Sequence, residues 1–173
     1  RHFRVLESDQ PLRRLSQLRL QDEDAKAPAD WVLVCRGGHW LGWVDDQVLR
    51  DLPVQQWDRQ RIGDHLQPLD SLPSIAAKAP LWQAIKAIES SDQGRLLVLS
   101  PAGLPSGTID RIELGEAVLK RLGVRLPPQI LDEARRQNRY PMGLAMLPQI
   151  VASMPISSEA SASENSPSEC STS

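Results

Sequence analysis

Two triplets in this 173-residue chain have the residue types and spacing to meet a ligand or to start a helix. Gly42, Asp45 and Val48 recur 65 residues later as Gly107, Asp110 and Glu113. Asp110 and Glu113 have capping-box spacing: the first carboxylate accepts from the N3 amide and the second reaches back to the N-cap amide. A glycine inside a strand marks a bulge or a place where something approaches the backbone closely. Elsewhere the chemistry is sparse. His2, His39 and His65 are scattered, and no His or Cys pair has metal-ligand spacing. HExxH, the P-loop and a full G-x-G-x-x-G are absent, and Gly37-Gly38 reads as a hairpin turn rather than an anion cradle. Arg135, Arg136 and Arg139 read as a solvated helix face; without interleaved aromatics they do not point to nucleic acid. No catalytic constellation emerges.

The elements that position the triplets form a repeat. Trp31-Val32-Leu33-Val34-Cys35 is a continuous apolar run, the mark of a strand covered on both faces. Arg36 to His39 turns the chain, Trp40 to Val44 returns it, and Asp45-Asp46 caps a helix with Val48, Leu49 and Leu52 on its apolar side. Leu97-Val98-Leu99, the turn from Ser100, Ser106-Gly107-Thr108-Ile109 and Asp110 repeat that order. Pro11-Leu12 and Pro80-Leu81 open a helix before each copy, and short strands at 2–6 and 74–76 enter them. A tandem repeat of this length means two copies of one small fold, since neither half alone buries much surface. Leu33 and Leu97 are expected in equivalent strands. Trp40 and Trp43, three residues apart, are expected on opposite strand faces.

Leu12, Leu15 and Leu18 recur at helical spacing, as do Leu81, Ala84, Ile85 and Ile88. Residues 21–30 read as a charged surface loop, and 54–73 as a connector with a short helical piece near Ile62. Leu114, Ala117, Val118 and Leu122 form the expected buried stripe of the last repeat helix, with Gly123 just past its end. Pro127-Pro128 opens a further helix through Ile130, Leu131 and Ala134. From Ser157 the chain has no large apolar residue and is expected to be disordered. The expected organisation is a first repeat with connector over 1–70, a second repeat over 71–126, a helical extension over 127–156 and a tail over 157–173.

A net charge of −2 gives no general pull toward nucleic acid or anionic lipid. Cys35, in a buried strand, and Cys170, in the tail, are not expected to form a scaffold disulfide, which suits a reducing compartment. The uncharged run 140–158 is broken by Pro141, Pro148 and Pro155, so no stretch of about 20 apolar residues spans a bilayer. The piece is therefore expected to be soluble, a reducing compartment suits a cytoplasmic-facing position, and the start at Arg1 without methionine leads us to expect a fragment of a longer polypeptide.

The repeat order and its glycine–acid–helix hinge resemble a tandem pair of cystathionine-β-synthase (CBS) domains. That resemblance implies an α/β fold of two repeats packed as a pseudo-twofold pair, with adenosine nucleotides bound in clefts between repeats. It also implies a homodimer. The family hinge runs from glycine to Ser or Thr and then Asp at three-residue intervals, so it falls on Gly42, Asp45 and Val48, and on Gly107, Asp110 and Glu113. Only the glycines match. The hydroxyl that donates to phosphate is replaced by Asp45 and Asp110, and the ribose-binding carboxylate survives as Glu113. A carboxylate about 4 Å from a phosphate repels it by about 4 kcal/mol at an effective dielectric near 20, against about 0.5–1.5 kcal/mol for a lost hydroxyl bond. The expectation is an empty first hinge, no tight ATP, and at most weak adenosine or AMP at the second, where Arg111 softens the field. A simple cap role for Asp110 and Glu113 is the stronger expectation.

Arg4-Val5, Pro11-Leu12-Arg13 and Gly42-Trp43-Val44 further resemble the cytosolic CBS pair of bacterial site-2 protease homologues. That implies a non-catalytic regulatory or dimerisation module joined, before Arg1, to the membrane domain of an intramembrane zinc metalloprotease that carries the zinc. The alternative is an interaction or ligand-sensing module of a transporter, channel or soluble enzyme.

Overall fold

The computed structural model describes residues 3–23, 31–137, 139–141 and 148–149. The chain forms two units, and the boundary between them falls between Leu72 and Pro73. The first contains β1 (Phe3–Glu7), α1 (Leu12–Glu23), β2 (Trp31–Arg36), β3 (His39–Val44) and α2 (Gln47–Asp51). Its sheet has the order β1-β2-β3, with β1 parallel and β3 antiparallel to β2. Gly37 (φ 55°) and Gly38 (φ 84°) turn the β2–β3 hairpin in two residues, a conformation that glycine adopts without a steric cost. Leu12, Leu15 and Leu18 of α1 bury one apolar stripe against Leu6, Val32, Val34, Val44 and Ile62. Each such side chain contributes about 1.5–3 kcal/mol. The other sheet face carries Phe3, Trp31, Leu33 and Cys35, also buried.

The connector is part of this unit. Trp57 and Gln60 accept from the Arg13 and Leu12 amides at 3.2 and 3.0 Å, satisfying donors that the first turn of α1 leaves without helical partners. The Ile62 and Gly63 amides donate to Gln10 and Ser8 at 2.9 and 2.8 Å. Gln67 then bridges β3 at Trp43, with bonds of 2.8 and 3.0 Å in the two directions.

The second unit repeats the plan with β4 (Ser74–Ala76), α3 (Leu81–Glu89), β5 (Arg95–Leu99), β6 (Pro105–Asp110) and α4 (Arg111–Arg121), followed by α5 (Pro128–Arg136). β4 is parallel and β6 antiparallel to β5. Ala84, Ile85 and Ile88 of α3 pack with Leu96, Leu114 and Tyr140. Leu33 faces Trp43 across β2–β3, and Leu97 faces Thr108 across β5–β6, so the expected strand equivalence holds. Five residues lie between the paired Leu99 and Pro105 of the second hairpin, one more than between Cys35 and Trp40 of the first.

Several expectations need correction. Residues 21–23 belong to α1 rather than to a loop, and the Asp22 side chain is 2% exposed. It accepts from Arg4 at 3.0 Å and lies 3.7 Å from Arg19, which compensates a charge that burial would otherwise make costly. Trp40 and Trp43 share a face. Register places Trp40 opposite Cys35 and Trp43 opposite Leu33, so Leu41 is an extra bulge residue that resets the alternation. Ser106 is the corresponding extra residue in β6. Leu122 is 71% exposed and leaves the buried stripe, because α4 ends there. Gly123 (φ 77°) and Val124 donate back to Lys120 and Leu119, the closing pattern of a Schellman turn. Cys35 is buried in β2, and the expectation about its pairing with Cys170 falls on a residue outside the described ones. The loop at 24–30, the extension past 149 and the tail from 157 lie outside them too. Among the described residues no helix is long and apolar enough to cross a membrane.

Candidate functional site

The two hinges occupy equivalent positions, each glycine on the helix-packed sheet face just after a bulge. Their surroundings differ. A Cβ built on Gly42 would lie 2.3 Å from the Gln67 carbonyl oxygen and 3.5 Å from the Leu66 Cβ. The connector thus fills the space over the first hinge. At Gly107 the same construction meets nothing within 4 Å.

Downstream of Gly42, the Asp45 carboxylate accepts from the Gln47 amide at 3.0 Å and so starts α2. Asp46, the N-cap residue by position, makes no side-chain cap bond and receives Arg19 at 2.9 Å instead. Val48 is half-buried against the core. A shallow cleft of about 520 Å³ opens beside it, lined among others by Asp45, Asp51, Asp64 and His65. Three carboxylates around one cleft disfavour a phosphate. Among the described residues no group of His, Cys, Asp or Glu has the arrangement of a metal site.

At the second hinge Asp110 and Glu113 form a complete capping box. The Asp110 carboxylate accepts from the Glu113 amide at 2.8 Å, and the Glu113 carboxylate from the Asp110 amide at 2.9 Å. One oxygen of each acid is therefore committed to the helix start. Arg111 does not soften this field as expected: its guanidinium donates to Glu89 at 2.9 Å, beside the Tyr140 hydroxyl, which donates to the same oxygen at 2.9 Å. The residue that faces the acids is Arg95, the cross-strand partner of Asp110. Burial pushes its guanidinium below the ordinary arginine range, while Asp110 and Glu113 pull it back up and Arg135 adds to the depression. Sequence reading missed Arg95 because the pairing depends on the Ser106 bulge, which shifts register. Counting back from the hairpin tip with the extra residue included would have found it.

No family model and no curated protein matches the chain. Solved structures do match. The soluble part of a magnesium transporter aligns with 69% of this chain and 45% of its own length, at 20% identity and a TM-score of 0.50. A CBS domain pair/ACT domain protein from Thermotoga maritima aligns with 69% of this chain and 91% of its own, at 18% identity and a TM-score of 0.48. The CBS domain of a bacterial CNNM/CorC family Mg2+ transporter in complex with ATP covers 70% and 80%, at 14% identity and 0.48. The two α/β repeats share the fold of the soluble part of that magnesium transporter. In this chain the two repeats each carry a bulge and a hinge glycine, while the hinge acids Asp45, Asp110 and Glu113 bond to the starts of helices.

Proposed function

We propose that this chain is a non-catalytic CBS module that regulates or assembles a larger membrane protein, acting as a homodimer and receiving a small ligand only in its second repeat. The observation that carries this reading is the difference between the hinges: the Gln67 carbonyl occupies the space over Gly42, and nothing occupies the space over Gly107. The site residues are Gly107, Asp110 and Glu113. Asp110 and Glu113 are already bonded to the α4 backbone, and a phosphate there meets two negative groups partly offset by Arg95. The ligand class is a nucleoside or its monophosphate, bound weakly, rather than ATP. The host in keeping with the structural neighbours is a transporter or channel. A second reading, a site-2-type zinc metalloprotease, is favoured by the run from Arg4-Val5 through Pro11-Leu12-Arg13 to Gly42-Trp43-Val44.

Calorimetry with adenosine, AMP and ATP tests the ligand. Weak adenosine or AMP binding lost on Glu113→Ala supports it; low-micromolar ATP affinity overturns it. Sedimentation tests the dimer, and a monomer at high micromolar concentration overturns that part. The natural polypeptide that carries the chain decides the host: spans with HExxH favour the protease, spans without it the transporter or channel, and a soluble catalytic domain removes both.

A further inference from the structure

The connector does more than close the first hinge: it also pairs with the outer edge of β3. In β3, the Trp43 backbone faces outward and pairs in both directions with Gln67. In β6, the equivalent residue is Thr108. The Leu97 amide donates to Pro73, on the β4 side, at 2.8 Å. Leu97 and Thr108 therefore form a non-hydrogen-bonded pair, and alternation along an antiparallel ladder turns the Thr108 N–H and C=O to the outer edge. No described residue pairs with them there. The Thr108 hydroxyl is buried and also lacks a partner. The stretch 65 residues after Leu66-Gln67 is Leu131-Asp132, which lies within α5 and is not extended. The second repeat thus keeps the glycine and the outward-facing residue of the first but has no described strand to lay on them.

We infer that the β6 edge at Gly107 and Thr108 is a docking edge for an extended peptide segment of a partner protein, pairing with Thr108 as Gln67 pairs with Trp43. Recognition is by main-chain hydrogen bonds, with Gly107 leaving room for the incoming carbonyl. This deepens the proposed role as an interaction module, and rests on it, by naming the partner's chemistry. It also assigns Gly107 a purpose that folding does not require, since a side chain there meets nothing. An edge left with unpaired main-chain groups is otherwise a liability for uncontrolled association.

The test uses the full 173-residue chain and, as probe, the connector's own sequence from Asp64 to Ser71 as a blocked synthetic peptide. Amide exchange is read at Thr108 and Trp43 in the free protein and with peptide. The expected result is a fast Thr108 amide and a slow Trp43 amide in the free protein, with Thr108 slowed at least about ten-fold by the peptide and not by a scrambled one. Gly107→Ala, which should not lower the melting temperature because the added Cβ meets nothing, should weaken peptide binding at least about ten-fold, because its Cβ stands where the carbonyl must pass. A Thr108 amide already as protected as Trp43 overturns the inference, as does one that saturating peptide leaves unchanged or peptide binding that Gly107→Ala does not weaken. Adenosine titration of the same sample keeps the two readings apart. Nucleoside binding without peptide protection removes only the docking edge, and peptide protection without nucleoside binding removes only the small ligand.

Discussion

Asp110 and Glu113 each hold the other's backbone amide, at 2.8 and 2.9 Å, so the second hinge is also the first turn of α4. Any ligand that draws on these carboxylates competes with the helix that presents them. Asp110→Ala should therefore cost about 0.5–2 kcal/mol in urea unfolding, the usual loss for an N-cap. Glu113→Ala should cost less, and the double variant less than the sum, because the two bonds form one motif. Additive losses would show that the acids act separately.

Gly42 and Gly107 should respond oppositely to one methyl group. Gly42→Ala forces its Cβ against the Gln67 carbonyl, a backbone atom that cannot swing aside, and should cost about 1–3 kcal/mol. Gly107→Ala should be neutral or stabilise by up to about 1 kcal/mol, by restricting the unfolded chain. Equal losses at the two sites, measured by urea midpoints at constant m-value, would remove the asymmetry between the hinges.

Tyr140 should make the protein lose stability in alkali. Burial first, then the bond to Glu89, raises its hydroxyl above the ordinary tyrosine range. The native state then keeps a proton that the unfolded state gives up. The contribution is complete below about pH 10 and falls by at most about 1.4 kcal/mol per pH unit above it. Tyr140 is the chain's single tyrosine, so tyrosinate absorbance follows it directly. Tyr140→Phe should flatten the alkaline limb of the stability profile; an unchanged limb, or tyrosinate forming near pH 10 in the folded protein, would refute the assignment.

Two arginine–aspartate pairs should differ in worth. Asp22 is buried, so Arg4→Met leaves its carboxylate with only Arg19 at 3.7 Å and should cost about 1–3 kcal/mol. Arg13 and Asp58 are both exposed, with the carboxyl held below its ordinary range by Arg13. Arg13→Met should leave the urea midpoint at neutral pH unchanged within error. Equal losses would mean that Asp22 is as well solvated as Asp58.

The repeat was legible because local rules agree with it. Leucines at helical spacing, the Asp110–Glu113 cap and glycines at the turns each specify a segment without long-range help. What escaped were the consequences of one extra residue per hairpin. Leu41 and Ser106 reset strand alternation, so Trp40 joined the face of Trp43, and Arg95 came opposite Asp110. Leu122 fitted the helical period but stood beyond the last turn. The role of Gln67 was hidden for a different reason. A main-chain carbonyl over Gly42 depends on where a distant segment crosses, and every residue type has such a carbonyl.

The bulges also set where this protein tolerates added length. Before them, at the hairpin tips, the repeats already differ by one residue and keep their registers. After them, three residues separate Leu41 from Asp45 and Ser106 from Asp110, and every one is committed to a face. An epitope or fluorophore loop placed between Gly37 and Gly38, or within 101–103, would project from the sheet as a passenger. One residue added between Gly107 and Asp110 would turn that strand inside out, sending Thr108 toward the helices and Ile109 away from them. Reporter fusions that watch this module at work belong at the tips.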